Sequence, residues 1–520
     1  MRTVARVVVT LVVFLVVCWV GLASTVSAQS PEYWPTDGWR TSTPEERGID
    51  SAQLAKALDF LQEADANIHS LLIIRHGYVV ADAYFHPFTQ GSRHDVASVT
   101  KSFTSTLVGI AIDKGHIEGV HQPVLKFFPG RTVANLDANK KAMTLEHLLT
   151  MTSGLKCINA PSEVTLFQMM ASPDWVQFML DLPMSDEPGT RFVYNSGGSH
   201  LLSAILRQTT GMNALAFAKK HLFEPLGITD VDWPLDPQGV NNHGWGDLQV
   251  TPHDMAKLGY LYLHGGVWDG KQVLSRSYVE AATTKHVSTS SDVHDGYGYQ
   301  WWIRSAGGYS ALGRGYQRIF VLPDENVIIV VTSGANSAQQ RKVETLLTSY
   351  ILPAVKSRAP LPPNPDGLAS LKSKIDQAAV DRDERALVPP LPKTARRISG
   401  RTYALDANPY GLTELTLIFE KRDEALLRLS MSPAFSEIPN LELPVGLDNI
   451  YRIVPRCRLD LPAALKGAWQ KANVFVVNFN EIGGINNWRI SMAFEDDAVT
   501  VRMREMTGLA PARFGGTLKK

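Results

Sequence analysis

The segment "ASVTKSFTSTLVGIAIDKGHI" (residues 97–117) places a serine three residues before a lysine at the start of an apolar run. The run is apolar on most sides, which predicts a helix buried inside a domain rather than one lying on its surface. Residues three apart share a helix face, so the Lys101 amine can reach the Ser98 hydroxyl. A buried lysine loses its charge readily and can accept the serine proton. The segment therefore fits a serine nucleophile, but taken alone it favours a serine that only caps a helix.

The sequence on either side of this helix predicts one sheet built from both ends of a domain. "SLLIIRHGYVVADAYF" (residues 70–85) has the pattern of a β-hairpin that turns at His76 and Gly77. "QRIFVLPDENVIIVVTSG" (residues 317–334) has the pattern of a second hairpin. Helical patterns lie between the two hairpins. We therefore expect an α+β domain over residues 29–358, in which an antiparallel sheet carries an inserted helical block.

A change of composition predicts a second domain after a linker. Two proline clusters, "SRAPLPPNPDG" and "VPPLPKTARR", flank a charged helical stretch, which is typical of a linker and places it at residues 359–397. Short strand patterns follow over residues 398–520: RTYAL, ELTLIFE, ALLRLSM, IYRIV, NVFVVNF, NWRISMAF, AVTVRMRE and ARFGGTL. Such a series favours a small antiparallel barrel or sandwich, and a closed barrel leaves no exposed edge.

The first 28 residues have the pattern of a signal peptide. Two arginines precede an apolar stretch, and small residues end in Val26-Ser27-Ala28. The apolar stretch is slightly short for a spanning helix, so we expect cleavage after Ala28. The mature protein would then be exported (secreted, periplasmic or in the cell envelope), whereas an uncleaved segment would anchor it in a membrane.

Charge and cysteine content exclude several classes of function. Lys and Arg together number 51, as do Asp and Glu, so the balance gives no case for nucleic acid or an anionic membrane surface. Cys157 and Cys457 are far apart and make neither a disulfide framework nor a zinc site. The sequence lacks H-E-x-x-H and G-x-S-x-G. We therefore expect no metal and no cofactor, and a small-molecule substrate.

Two further stretches carry candidate site residues. In "EPGTRFVYNSGGSHLLSAIL" (residues 187–206), Tyr194 stands in a loop between a Pro-Gly turn and a helical pattern. "YSALGRGYQRIF" (residues 309–320) is a glycine-rich strand, where missing side chains let a ligand approach the backbone. A tyrosine that only packs and a β-bulge would explain the same patterns.

Taken in order, these segments resemble the serine β-lactamase and penicillin-binding-protein superfamily. The similarity is to its class C β-lactamase and carboxylesterase branch, which includes 6-aminohexanoate-dimer hydrolase-like enzymes. It extends over residues 45–353 and also rests on the segments TLEHLLTMTSGL, PGTRFVYNS, TPHDMAKLGYLYLHGG and YGYQWW. The resemblance implies a β-lactamase/transpeptidase-like sheet with a helical block. The C-terminal barrel resembles the lipocalin-like domains appended to some proteins of this branch.

The resemblance also implies roles for individual residues. Ser98 would attack the substrate carbonyl, Lys101 would share its proton, and Tyr194 would be base toward Ser98 and acid toward the leaving group. The backbone amides of Ser98 and Arg314 would form the oxyanion hole, with Gly313 as the glycine of the third motif. Water would then release the acyl group.

Two departures from the family pattern bear on the substrate. Ser196 stands where the family has an asparagine that steadies the lysine and the substrate amide, and we expect Ser196 and Gly313 to line the substrate site. Ala311, Leu312 and Gly313 replace the Lys-Thr-Gly of true β-lactamases. We therefore expect a hydrolase of esters or amides. A β-lactamase or a D-amino-acid-directed peptidase is the alternative enzyme. A second alternative is a sensor module that is acylated once and does not turn over.

Overall fold

The computed structural model describes residues 31–64, 66–159, 163–291, 293–304, 306–381, 383–432 and 438–520. The predicted signal peptide (residues 1–28) lies outside the described residues. None of the helices in these ranges has the length and apolar character that a membrane span requires.

One antiparallel sheet organises the first domain, in the strand order β2-β1-β12-β11-β10-β9-β8-β7. The strands of this domain are β1 (Ile68–Arg75), β2 (Tyr78–Tyr84), β3 (His94–Asp95), β4 (Gln249–Val250), β5 (Val267–Trp268), β6 (Lys271–Gln272), β7 (Val287–Ser288), β8 (Gly296–Tyr297), β9 (Trp302–Ile303), β10 (Tyr309–Gly313), β11 (Gln317–Leu322) and β12 (Val327–Ser333). β1 lies antiparallel beside β12, with Leu71 opposite Val331. β1 also pairs with β2, and β11 pairs with β12, so both predicted hairpins are present. The pairing of β1 with β12 joins the two ends of the domain.

Helices cover both faces of this sheet. They are α1 (Ser51–Glu63), α2 (Thr100–Asp113), α3 (Ala138–Ala142), α4 (Leu145–Leu149), α5 (Val164–Met170), α6 (Trp175–Asp181), α7 (Ser196–Thr210), α8 (Ala214–Ala218), α9 (Glu224–Leu226), α10 (Pro252–Leu263), α11 (Arg276–Ala282), α12 (Ser337–Thr345) and α13 (Leu352–Ala354). Alternate residues of β1 enter different cores, since Leu72 packs with α2, α7 and α10 while Leu71 packs with α1. As predicted, α2 is buried, with Phe103 and Leu107 fully enclosed.

The predicted linker is attached to the first domain rather than free. Helix α14 (Pro365–Ala378) buries Leu371 and places the Lys374 amine 2.5 Å from the Asp59 carboxylate of α1. The chain then leaves the helix and crosses to the second domain, where the Ala386 amide donates to the Asp448 carbonyl at 2.8 Å. Helix α15 (Lys393–Ile398) leads into the barrel.

The second domain is a closed nine-stranded barrel. Its strands and the edge strand β17 are β13 (Thr402–Leu405), β14 (Leu412–Ile418), β15 (Glu424–Met431), β16 (Asn440–Gly446), β17 (Arg452–Val454), β18 (Ala463–Lys471), β19 (Val474–Glu481), β20 (Asn487–Glu495), β21 (Ala498–Glu505) and β22 (Ala512–Leu518). Neighbours pair antiparallel, and the parallel contact of β16 with β18, Gly446 opposite Lys466, closes the ring. Apolar side chains fill the interior. The predicted α+β fold with a C-terminal barrel is confirmed.

Candidate active site

Ser98 lies in the 3-10 turn Ala97–Val99, directly before α2 begins at Thr100. One turn further on, the Lys101 Nζ donates a hydrogen bond of 2.8 Å to the Ser98 Oγ, as the spacing of the two residues predicts. The lysine is only 1% exposed. The turn and the helix therefore bring a partly exposed hydroxyl into direct contact with a buried amine.

Burial lowers the pKa of Lys101 to about 8, because the charged ammonium loses its hydration. The carboxylates of Glu163 and Asp247 act in the opposite direction, since negative charge nearby favours the protonated form. A pKa in this range leaves part of the lysine neutral near neutral pH. The neutral amine can accept a proton from the hydroxyl that it contacts.

The loop before α7 projects Tyr194 onto the same lysine. Asn195 fixes the start of α7 by accepting a hydrogen bond of 3.0 Å from the Gly198 amide. The Lys101 Nζ lies 4.8 Å from the centroid of the Tyr194 ring, and the Trp302 ring stacks on the tyrosine with its centroid 6.0 Å away. One cationic and one aromatic group thus contact the Tyr194 ring.

The Tyr194 phenol is protonated in the resting site. Burial raises its pKa above the ordinary value, the Glu163 carboxylate raises it further, and a hydrogen bond with Ser98 opposes both effects. Because the phenol is neutral and the amine is partly neutral, the two groups can relay a proton. Tyr194 does not rest as a phenolate. The site can therefore take a proton from Ser98 and pass it between Tyr194 and Lys101.

The end of β10 closes over the serine backbone. A Cβ added to Gly313 would lie 2.6 Å from the Val96 carbonyl oxygen and 3.0 Å from the Ser98 amide nitrogen. Only a residue without a side chain fits this approach without displacing the backbone. Gly313 therefore lies beside the Ser98 amide, directly before the turn that begins at Arg314. That the backbone amides of Ser98 and Arg314 face one substrate oxygen stays a prediction.

The Arg314 side chain points toward the barrel. Its Nη1 donates to the Thr507 hydroxyl at 2.7 Å, and its Nη2 donates to the Asn486 side-chain oxygen at 2.9 Å. Both acceptors belong to the second domain. The Arg314 guanidinium is thus engaged in the contact between the two domains.

Ser196 does not steady the lysine in this structure. Its hydroxyl is 2% exposed and has no hydrogen-bond partner among the described residues. The second bond of the Lys101 Nζ instead goes to the Trp245 carbonyl at 2.9 Å. The sequence could not reveal this acceptor, because a backbone carbonyl carries no signature of residue type.

The loop that supplies this carbonyl is braced by its own side chains. His243 stacks on Trp245 with ring centroids 4.7 Å apart and lies 2.7 Å from the Asp247 carboxylate. This loop is the segment NNHGWGDL (residues 241–248). Its observed contact is with the lysine, which it holds in place against Ser98.

Comparison with known proteins assigns the first domain to a family. The sequence model of a family described as Beta-lactamase matches residues 60–349. A 6-aminohexanoate-dimer hydrolase of Paenarthrobacter ureafaciens is 26% identical over 333 residues, which is 60% of this chain and 84% of that protein. The esterase EstB of Burkholderia gladioli is 25% identical over 206 residues, 35% of this chain and 52% of EstB.

A solved structure supports the fold. It belongs to a Bacillus anthracis protein whose assignment as a 6-aminohexanoate-dimer hydrolase is provisional. The match has a TM-score of 0.50 and 19% identity, and it covers 60% of this chain and 86% of that one. At this identity the likeness concerns the fold alone.

Proposed function

The chain belongs to the β-lactamase family, a family of serine hydrolases that includes esterases and amide hydrolases, and on that premise we propose that it cleaves ester or amide bonds through an acyl-enzyme on Ser98. The observation that carries the proposal is the 2.8 Å contact between the Lys101 Nζ and the Ser98 Oγ. An amine with a lowered pKa at that distance is an adequate acceptor for the serine proton.

In the first half of the reaction the Ser98 Oγ bonds to the substrate carbonyl carbon while its proton passes to the pair of Lys101 and Tyr194. The carbonyl oxygen becomes an oxyanion, which the backbone amides of Ser98 and Arg314 stabilise. Collapse of this intermediate breaks the bond to the leaving alcohol or amine. The leaving group takes the proton back from Tyr194, and an acyl-Ser98 ester remains.

In the second half, water replaces the leaving group. The Lys101 and Tyr194 pair accepts a proton from water as its oxygen bonds to the acyl carbon. When the second tetrahedral intermediate collapses, the proton returns to the Ser98 Oγ and a carboxylic acid leaves. The cycle uses no group other than side chains, backbone amides and water.

Uncharged acyl groups suit this site better than substrates that carry a carboxylate. The strand residue at the lysine position of true β-lactamases is Ala311, which is fully buried. The Arg314 guanidinium is bonded to the barrel. These two features support an esterase or amidase more than a β-lactamase.

Export of the protein is part of the proposal and rests on residues 1–28. Expression of the full chain in a secreting bacterium, followed by N-terminal sequencing of the product, tests it. A mature chain that starts at Gln29 would support cleavage after Ala28, and an intact N-terminus in the membrane fraction would contradict it.

The nucleophile is tested with a fluorophosphonate probe and p-nitrophenyl butyrate. Wild-type protein should be labelled once and should turn over the ester repeatedly, whereas Ser98→Ala should do neither. Ester hydrolysis by Ser98→Ala at half the wild-type rate would place the site elsewhere. A single burst without turnover would instead favour the sensor module.

A further inference from the structure

The barrel touches the segment that carries the nucleophile. The Asp95 amide on β3 donates to the Gly483 carbonyl of the barrel at 2.6 Å. On the neighbouring strand β4, the Gln249 side chain donates to the Leu459 carbonyl at 3.0 Å. Two turns of the barrel therefore lie against these short strands. β3 leads to Ser98, and β4 follows the Trp245 loop.

Asp95 holds the turn in which Ser98 lies. Its Oδ1 accepts a hydrogen bond of 2.8 Å from the Ala97 amide. Ala97 has a φ of 45°, in the left-handed region that residues other than glycine seldom adopt. An ionised carboxylate accepts such a bond more strongly than a neutral carboxyl group. The charge of Asp95 therefore bears on how firmly the serine is positioned.

Asp95 lies in a position that disfavours its charge. It is only 3% exposed, and burial raises its pKa to about 7, with a further contribution from the Asp247 carboxylate. The Ala97 amide and the positive charges of Arg458 and Arg314 oppose this rise. Both arginines also lower the pKa of Asp247, together with the closer His243. Positive charge from Arg458 of the barrel and from Arg314 of the first domain thus favours the ionised form of both carboxylates.

Arg458 is held in place by the barrel itself. Its Nε and Nη2 donate to the two carboxylate oxygens of Glu481 at 3.0 and 2.9 Å. Glu481 is 6% exposed and also accepts from the Asn486 amide at 3.0 Å. Asn486 in turn accepts from Arg314. A continuous chain of hydrogen bonds therefore joins Arg458, through the barrel, to the residue that follows Gly313.

We propose that the barrel completes the active site, and that Arg458 is its positioning residue: clamped by Glu481, it presents its positive charge to the Asp95 carboxylate and so fixes the turn that carries Ser98. The inference rests on the proposed function of Ser98 and adds the second domain to it. Arg458 touches neither the substrate nor the reacting atoms and acts through Asp95 and Asp247. The barrel is then a working part of the hydrolase rather than an appended module.

The sign of the effect is fixed by charge. Removing the positive charge of Arg458 raises the pKa of Asp95 and of Asp247, because each carboxylate loses a neighbouring cation. The titration of these coupled groups belongs to the set rather than to one member. Protonation of Asp95 weakens its hold on the turn that carries Ser98. The acid limb of the activity profile should therefore move to higher pH.

The test is the pH dependence of kcat/KM for p-nitrophenyl butyrate in Arg458→Met, Arg458→Lys and the control Arg428→Met. Arg428 also belongs to the barrel, but it pairs with Glu442 at 2.7 Å and is half exposed. We expect the acid limb of the Arg458→Met profile to move to higher pH by about half a pH unit or more. Arg458→Lys should restore most of the wild-type profile, and Arg428→Met should match the wild type. Superimposed profiles for Arg458→Met and wild type would overturn the proposal.

A second variant covers the case in which Arg458→Met does not fold. The double substitution Arg458→Met with Glu481→Gln removes the ion pair without leaving a buried carboxylate unpaired. Arg458 is among the charges that act on Asp95, whereas Glu481 is not. The acid limb of the activity profile of the double variant should therefore still move to higher pH. An unchanged limb in a folded double variant would equally overturn the inference.

Thermal stability separates this inference from the proposed function. A carboxylate whose pKa is raised on folding destabilises the protein as pH rises through that value. The double variant should therefore lose more Tm relative to wild type at pH 8 than at pH 5, whether or not Ser98 turns over an ester. A Tm difference that does not depend on pH would contradict this inference and leave the proposed function standing. Absence of Ser98-dependent turnover in the wild type would contradict the proposed function and leave this part of the inference standing.

Discussion

Gly313 lies so close to Ser98 that a single added methyl group would collide with the chain that leads into the nucleophile. The nearest atoms would be the Val96 carbonyl oxygen at 2.6 Å, and the Ala97 Cβ and the Ser98 amide nitrogen, each at 3.0 Å. None of these atoms is the end of a flexible side chain. The distance between strand β10 and the serine turn is therefore set by the absence of a side chain at residue 313.

Gly313→Ala should lower kcat/KM for a short-chain ester by roughly tenfold or more, because the oxyanion hole must open to admit the methyl group. The matched control is Gly130→Ala, since nothing lies within 4 Å of a Cβ at Gly130. Steady-state kinetics on both variants measure the effect. Equal activity of the two would show that Gly313 does not border the reacting atoms.

Ser98→Ala and Lys101→Ala should each remove on the order of a thousandfold of turnover, and the double variant should lose no more than either. The reason is that the hydroxyl and its proton acceptor act as one unit across 2.8 Å. Rates are compared after circular dichroism has shown that each variant is folded. Losses that multiply in the double variant would mean that the two residues act independently.

The rate should rise with pH through about 8, the value to which burial lowers the Lys101 pKa, as the amine becomes neutral. Glu163→Gln should shift this limb to lower pH, because the Glu163 carboxylate raises the lysine pKa. This shift is opposite in direction to the one expected for Arg458→Met. A pH–rate series on both variants checks the pair of signs, and a shift of Glu163→Gln to higher pH would contradict the assignment of Lys101 as proton acceptor.

Activity should survive exhaustive chelation, since every step is assigned to side chains, backbone amides and water. Dialysis against a chelator followed by the ester assay is the measurement. Protein that loses activity and regains it on addition of zinc would contradict the mechanism.

The fold of the first domain could be predicted from the sequence because its signals are local. The turn at His76 and Gly77, both with positive φ, lies between two apolar runs that pair with each other. The spacing of Ser98 and Lys101 likewise fixes their contact within one helical turn. Such features need no knowledge of distant residues.

Two barrel strands escaped the sequence interpretation, and their composition explains why. β16 contains Pro444, which lacks an amide hydrogen and argues against a strand inside a sheet. β18 begins with alanines and includes lysine and glycine, which strands disfavour. These two strands meet to close the barrel. Closure stabilises them through pairing on both sides, and that gain is invisible in the local pattern.

The charged residues around the nucleophile could not be predicted from the sequence, for a different reason. Arg458 lies in a segment with no catalytic pattern, far along the chain from Asp95 and Asp247. Only the docking of the barrel brings it near them. The destination of the Arg314 guanidinium depends on the same docking, so neither residue could be assigned from sequence spacing.

Esters without a charged acyl group should be turned over better than cephalosporins, by at least about tenfold in kcat/KM, roughly what one lost charge-assisted contact represents. Ala311 offers no cation where true β-lactamases carry a lysine, and the two terminal nitrogens of Arg314 are bonded to Thr507 and Asn486. The comparison uses p-nitrophenyl butyrate and a chromogenic cephalosporin on one preparation. Arg314→Gln should leave the ratio of the two rates unchanged, because the lost guanidinium contacts the barrel and not the substrate. Efficient cephalosporin turnover that disappears in Arg314→Gln would overturn the esterase assignment in favour of a β-lactamase.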